Sequence, residues 1–143
     1  MKATDLMIGD WVKCTDPRCE GHQVDLIDHG NEEVGLDGEI DNFENIIPIP
    51  ITPEILEENG LWEKDPDRNP NCLIAEANTT TFNDSEGKPH SWVHIQDISS
   101  IECMRWYIKI WGKGNLVTSG YIGYVHELQH ALRLCGIDKE ITL

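Results

Sequence analysis

The C-terminal stretch from Tyr124 to Cys135 constrains the fold more than any other part of the chain, because it carries a long helical pattern. Its apolar side chains recur at the three- and four-residue spacings of an amphipathic helix. Gly136 follows at once, and glycine is common just past the end of a helix. Most earlier segments are short apolar runs broken by turn residues. The chain is therefore predicted to be an α+β protein that closes with an α-helix.

Residues 1–50 predict a small β lobe built from short strands. Five short apolar runs are separated by turn residues, and Asp37-Gly38 is a strong hairpin signal. One helical turn at Asn42–Asn45 precedes the last run, Ile46–Ile49. Five short strands with a turn before the last resemble an SH3-like barrel, a fold that hosts many functions.

Residues 51–143 predict an α+β lobe, and the pattern is compatible either with two lobes or with one compact domain. Thr52–Gly60 reads as a complete short linking helix, with threonine as N-cap, proline next and glycine at the end. Strand signals follow at Cys72–Ala75, at Thr79–Phe82 and, more clearly, at Met104–Trp111. We expect a β-meander against which the C-terminal helix packs.

The charge is high and uneven. The formal net charge is −15; residues 1–70 carry 18 acidic and 5 basic side chains, whereas residues 71–143 carry 8 and 6. Nucleic-acid affinity depends largely on Lys and Arg, so direct binding of DNA or RNA is not expected. The acidic first half predicts either a solvated surface or a face for a basic partner, including mimicry of nucleic acid.

The first residues and the cysteines bear on the compartment. The start of the chain has no apolar run long enough for a signal peptide or a membrane span, so we expect a cytoplasmic protein without membrane attachment. An odd number of cysteines without a dense framework predicts buried or incidental thiols rather than needed disulfides. The five are Cys14, Cys19, Cys72, Cys103 and Cys135.

The string His126–His130, read H-E-L-Q-H, matches the H-E-x-x-H pattern of zinc peptidases. In such sites two histidines one helical turn apart hold zinc, and the glutamate is the general base. The pattern predicts His126 and His130 as metal ligands and Glu127 as the base. The alternative is that the string belongs to an ordinary packing helix.

Three contextual tests favour the packing helix. The longer metzincin pattern requires glycine and histidine where this chain has Arg133 and Gly136, so a third ligand is missing downstream. A helical projection places both histidines of the string opposite the apolar arc, facing away from the core. A chain of this length also leaves little room for a substrate cleft. His90 and His94 are the best upstream candidates for further ligands.

A second set of metal-ligand residue types lies near the N-terminus. Cys14, Cys19 and His22 could supply thiolates and an imidazole to zinc. Their spacing is not a familiar knuckle, and a fourth ligand is unassigned. The alternative is a turn between two strands with a cysteine near each end.

Three segments together resemble short uncharacterised proteins encoded by gut-bacterial genomes and prophages. They are Met7–Val12, Ile49–Gly60 and Tyr124–Ile137, the last containing a VHELQxALxLxG-like helix. The segments cover about a quarter of the chain, in the same order. In that group the position of His130 is often asparagine, which does not suit a zinc site. The resemblance implies a shared architecture and no activity.

These observations favour a non-enzymatic interaction or accessory protein of phage or mobile-element origin, with a protein as its partner and no cofactor. A small zinc hydrolase that uses His126, Glu127 and His130 is the second hypothesis. The third is an acidic decoy that occupies a nucleic-acid-binding protein through the first half of the chain.

Overall fold

The computed structural model describes residues 5–16, 21–63, 77–98 and 106–143. The chain divides into two compact units, each with its own antiparallel sheet. The first unit comprises Met1–Pro50, Tyr124–His130 and Leu143, and the second comprises Ile51–Gly123 and Ala131–Thr142. With two sheets and few helices among the described residues, the predicted α+β class is confirmed.

The first unit is built on a five-stranded antiparallel sheet in the order β4-β3-β2-β1-β5. A 3₁₀ turn at Phe43–Asn45 precedes the last strand, close to the predicted helical turn. In the described part of the chain neither sheet closes, so the barrel expected from the sequence is not confirmed. The strands are β1 Trp11–Cys14, β2 His22–Asp28, β3 Glu33–Leu36, β4 Glu39–Asn42 and β5 Ile46–Pro48.

A small apolar core lies within this unit. Every second side chain of a strand points to the same face of the sheet, and this accounts for most of the core residues. The exception is β2, where Val24 is buried but Leu26 is 45% exposed. A β-bulge between these two residues shifts the register, and this changes the face on which the following side chains lie. The core residues are Leu6, Val12, Val24, Val34, Leu36, Phe43 and Ile46, with Ile27 packed against them.

The second unit contains the predicted short helix and a β-meander. Helix α1, Pro53–Glu58, begins as expected, because the Thr52 hydroxyl accepts a hydrogen bond from the Ile55 N–H. The sheet order is β6-β7-β8-β9, all antiparallel. The predicted segment Cys72–Ala75 lies outside the described residues. The strands are β6 Ala77–Asn83, β7 Pro89–Asp97, β8 Trp106–Gly112 and β9 Asn115–Ile122.

Strand β8 buries one face, as its alternation predicts. Trp106, Ile108 and Ile110 are each at most 2% exposed. The indole N–H of Trp106 donates to the Ile51 carbonyl at 3.2 Å, and its ring packs edge-on against Trp62. A buried tryptophan needs such a partner for its N–H. Met104, the first residue of the predicted strand, is outside the described residues.

The C-terminal helix α2, Val125–Leu134, ends where the sequence predicts. Gly136 has a φ of 69°, and its N–H donates to the Arg133 carbonyl. The N–H of Ile137 donates to the Leu132 carbonyl, which completes a Schellman motif. The side chains of Leu132 and Ile137, the two residues joined by this bond, are both buried. None of the helices in the described ranges has the length and apolar character needed to cross a bilayer.

Candidate functional site

The start of α2 is held in place by hydrogen bonds within the first unit. A carboxylate oxygen of Glu127 accepts from the N–H of Tyr124 at 3.1 Å. The next N–H, that of Val125, donates to the Ile49 carbonyl at 2.9 Å. A glutamate that reaches back three residues to the start of its own helix is half of a capping box. Glu127, the predicted general base, therefore stabilises the first turn of its own helix.

Two side chains on the polar side of α2 are buried, whereas Arg133 on the same side is exposed. His126 is 6% exposed and Gln129 is 4% exposed. The helical projection places the histidines away from the core that the apolar arc buries, and in the structure His126 is nevertheless covered. The reason is that residues of the first unit near Asp10 lie against this side of the helix, as the hydrogen bonds of Gln129 and His130 show.

Gln129 forms a two-point contact with the backbone around Asp10. Its Oε1 accepts from the Trp11 N–H, and its Nε2 donates to the Gly9 carbonyl, both at 3.0 Å. The oxygen of an amide side chain can accept from a backbone N–H while its NH₂ group donates to a backbone carbonyl. The contact joins β1 to α2 across 118 residues of sequence.

Asp10 and His130 form a close pair. Asp10 is fully buried, and its Oδ2 accepts from the Met7 N–H and from His130 Nε2, each at 2.7 Å. Because an ionised carboxylate offers only acceptors, His130 Nε2 carries the hydrogen. The side chain of His130 is about one-fifth exposed. The pair fixes the orientation of the imidazole.

His126 is the one residue of the string with an unsatisfied buried atom. Its Nδ1 has no hydrogen-bond partner among the described residues. Burial lowers the pKa of His126 below its ordinary value of 6.5, while the nearby carboxylates of Glu127, Asp10 and Asp5 act in the opposite direction. The imidazole of His130 adds to the lowering. His126 is therefore mostly neutral at neutral pH.

An open cavity of about 450 Å³ lies at the start of α2. The ring of Tyr124 stacks on His126 with centroids 5.9 Å apart, and the His126 and His130 rings meet edge to face at 5.8 Å. The three predicted site residues thus line one cavity in the first unit. The lining residues are Asp5, Pro48, Tyr124, His126, Glu127 and His130.

The structure gives the proposed zinc site no further ligand in its described part. Within residues 5–16, 21–63, 77–98 and 106–143, no three His, Cys, Asp or Glu side chains are grouped as metal ligands would be. The suggested upstream ligands have other contacts: His90 Nδ1 lies 2.9 Å from Ser91 Oγ, and His94 Nδ1 lies 3.0 Å from Thr79 Oγ1. Zinc binding by His126 and His130 stays a prediction.

The N-terminal metal hypothesis meets a different arrangement. Cys14 is disulfide-bonded, so the expectation of an incidental thiol is wrong at this position. His22 Nδ1 lies 2.8 Å from a carboxylate oxygen of Asp37. Cys19 is outside the described residues. Cys135 is a free thiol whose pKa is raised by burial.

Sequence reasoning missed Asp10, Gln129 and Tyr124 as parts of this site. The spacing of Tyr124 and Glu127 is that of a capping box and could have indicated the role of the glutamate. No local pattern links Asp10 to His130, because the two are 120 residues apart. Comparison with protein-family models, curated proteins and solved structures finds no match to this chain.

Proposed function

We propose that this chain is a non-enzymatic interaction protein of phage or mobile-element origin that binds a protein partner in the cytoplasm. The observation that carries the proposal is that two side chains of the H-E-L-Q-H string are already hydrogen-bonded to other parts of the fold. Glu127 caps its own helix, and His130 is bound to the buried carboxylate of Asp10. Both side chains thereby have structural roles that need no catalysis.

The charge of the first unit favours a basic partner. Residues 1–50 carry 12 acidic and 3 basic side chains. Complementary potentials speed encounter and select partners by sign. We also propose an SH3-like architecture for this unit, supported by the strand order β4-β3-β2-β1-β5 and by the 3₁₀ turn before β5.

The test is capture of partners from bacterial lysate by the full chain and by two matched variants. One variant replaces three exposed acids of the first unit with glutamine: Glu32, Glu39 and Glu44. The other makes the same change at three exposed acids of the second unit: Glu57, Glu58 and Glu140. We expect a basic protein to be retained by the parent and the second variant and lost by the first. Absence of a partner, or equal retention by both variants, would contradict the proposal.

A zinc hydrolase is the second candidate, favoured by the convergence of His126, Glu127 and His130 on one cavity. The bond between His130 and Asp10 also resembles the carboxylate contact that orients metal-binding histidines. In such a hydrolase His126 and His130 would hold the zinc, and Glu127 would take a proton from water as the general base. Metal analysis of protein purified without an affinity tag decides between the candidates. Stoichiometric zinc that is lost in His130→Ala would favour the hydrolase.

The acidic decoy is a narrower form of the interaction proposal. It requires the captured partner to be a nucleic-acid-binding protein and requires DNA or RNA to compete with this chain for it. Adding a short duplex DNA or a single-stranded RNA to the captured complex tests both requirements. Release of the partner supports the decoy, and a complex that persists at saturating nucleic acid excludes it.

A further inference from the structure

We propose that the cavity at the start of α2 binds an organic cation, a guanidinium or ammonium group. The source we assign is a basic side chain of the protein partner, and in that respect the inference rests on the proposed function. The binding of the cation itself can be tested without a partner.

The walls of the cavity suit a cation. Asp5 and Glu127 bring two carboxylates to it, and the ring of Tyr124 forms another part of its lining. Charged hydrogen bonds from a guanidinium to carboxylates are among the strongest polar contacts in proteins, and an aromatic face attracts a cation by its quadrupole. Tyr124 is 38% exposed, so a ligand can reach the residue.

The start of α2 is not arranged for an anion. Helix N-termini attract anions through unpaired backbone N–H groups. Here the N–H of Tyr124 is bound to Glu127, and the N–H of Val125 is bound to the Ile49 carbonyl. A carboxylate already occupies the place where a bound anion would lie, so a second negative charge would be repelled.

His126 provides an independent indication of a missing ligand. Its ring lines the cavity although the residue is 94% buried, and its Nδ1 lacks a partner among the described residues. Buried polar atoms of native proteins are nearly always paired. This unpaired nitrogen marks a polar contact beside the cavity that the fold itself does not supply. A guanidinium carries five N–H donors and no acceptor.

The size of the cavity is consistent with one side chain. A volume of about 450 Å³ lies within the range of small-ligand sites, roughly 300–1,000 Å³. Arginine combines a planar set of donors with an apolar stem, and Pro48 offers that stem an apolar contact in the cavity wall.

The test uses N-acetyl-arginine amide as the probe and N-acetyl-citrulline amide as its uncharged isostere. Both are titrated into ¹⁵N-labelled full-length protein while the backbone amide signals of Val125 and Gln129 are followed. We expect saturable shifts with the arginine compound, with a Kd on the order of 1 mM, and no saturation with citrulline. Equal responses to the two compounds, or none to either, would overturn the inference.

Charge variants locate the site. Glu127→Gln retains an oxygen for the helix cap, and Asp5→Asn removes the other carboxylate charge of the cavity. Each is expected to weaken arginine binding about fivefold or more. Glu44→Gln makes the same charge change at an exposed position of the same unit and is expected to alter the Kd less than about twofold. Equal weakening by all three would indicate attraction to the whole acidic unit instead.

Two further arms separate the possible outcomes. Zinc chloride alone is titrated in place of the probe, and stoichiometric zinc that displaces the arginine compound would overturn the assignment in favour of a metal site. An arginine-containing peptide that binds more tightly than the free amide supports a protein side chain as the source. If the amide binds but lysate capture yields no partner, the cation site stands and the proposed function fails.

Discussion

At the scale of single residues, two polar side chains of the site are buried with specific hydrogen-bond partners. Gln129 satisfies a backbone donor and a backbone acceptor, and Asp10 accepts from a backbone N–H and from His130. Unpaired, each of these groups would cost about 1–3 kcal/mol to bury. The polar half of α2 is therefore as much a part of the fold as its apolar half.

Replacing Gln129 with alanine should destabilise the protein by about 2–3 kcal/mol. The change leaves the Trp11 N–H and the Gly9 carbonyl without their side-chain partner. Urea unfolding followed by circular dichroism measures the loss. Leu134→Ala, on the same helix at a position 75% exposed, is the control and should stay within about 0.5 kcal/mol of the parent.

Stability should fall as the pH decreases below about 6.5. In the unfolded chain His126 takes up a proton near its ordinary pKa of 6.5, whereas burial lowers the pKa of the folded form. The unfolded state then binds more protons, which favours unfolding at lower pH. The pKa of His94 is also lowered, chiefly by burial, and contributes with the same sign. Unfolding free energies between pH 7.5 and 5.5 should therefore decrease less in His126→Leu than in the parent; identical slopes would count against the assignment.

At the scale of elements, the sequence predicts best where the determinants are local. Thr52 begins α1, Gly136 ends α2, and the alternation around Ile108 places β8 correctly. The burial of His126 could not be predicted, because periodicity sorts residues by polarity and carries no information on distant partners. The exposure of Leu26 could not be predicted for a similar reason, since a bulge changes the face of the strand without a clear local signal.

The turn between β8 and β9 provides a prediction at this scale. Lys113 and Gly114 have φ values of 50° and 82°, as in the type I′ turns that favour glycine at the second position. Gly114→Ala should cost about 1–2 kcal/mol through backbone strain alone, because an added Cβ meets no atom within 4 Å. Gly120→Ala in β9 meets equally open space without a positive φ and should be nearly neutral in the same urea assay. Equal costs would contradict this explanation.

At the scale of the whole molecule, the dominant property is the net charge of −15, much of it carried by residues 1–50. Like charges repel in the compact state, and salt screens them over a Debye length of about 10 Å at 0.1 M. The acidity also bears on partner choice, because a basic partner would relieve part of this repulsion.

Raising the KCl concentration from 20 mM to 300 mM should increase the melting temperature by roughly 3–5 °C, equivalent to about 1 kcal/mol. The variant that replaces Glu32, Glu39 and Glu44 with glutamine should gain less, because it has three fewer negative charges. Scanning calorimetry measures both. A gain of the same size in the variant would show that salt acts by another route.

The central proposal is that the His126–His130 string serves the fold and lines its cavity without holding zinc. Imidazole ¹⁵N NMR of protein purified without an affinity tag tests this claim most directly. We predict that His130 carries its hydrogen on Nε2, bound to Asp10, and that one equivalent of zinc shifts neither imidazole. Zinc-induced shifts of the nitrogen signals of both His126 and His130 at a 1:1 ratio would contradict it.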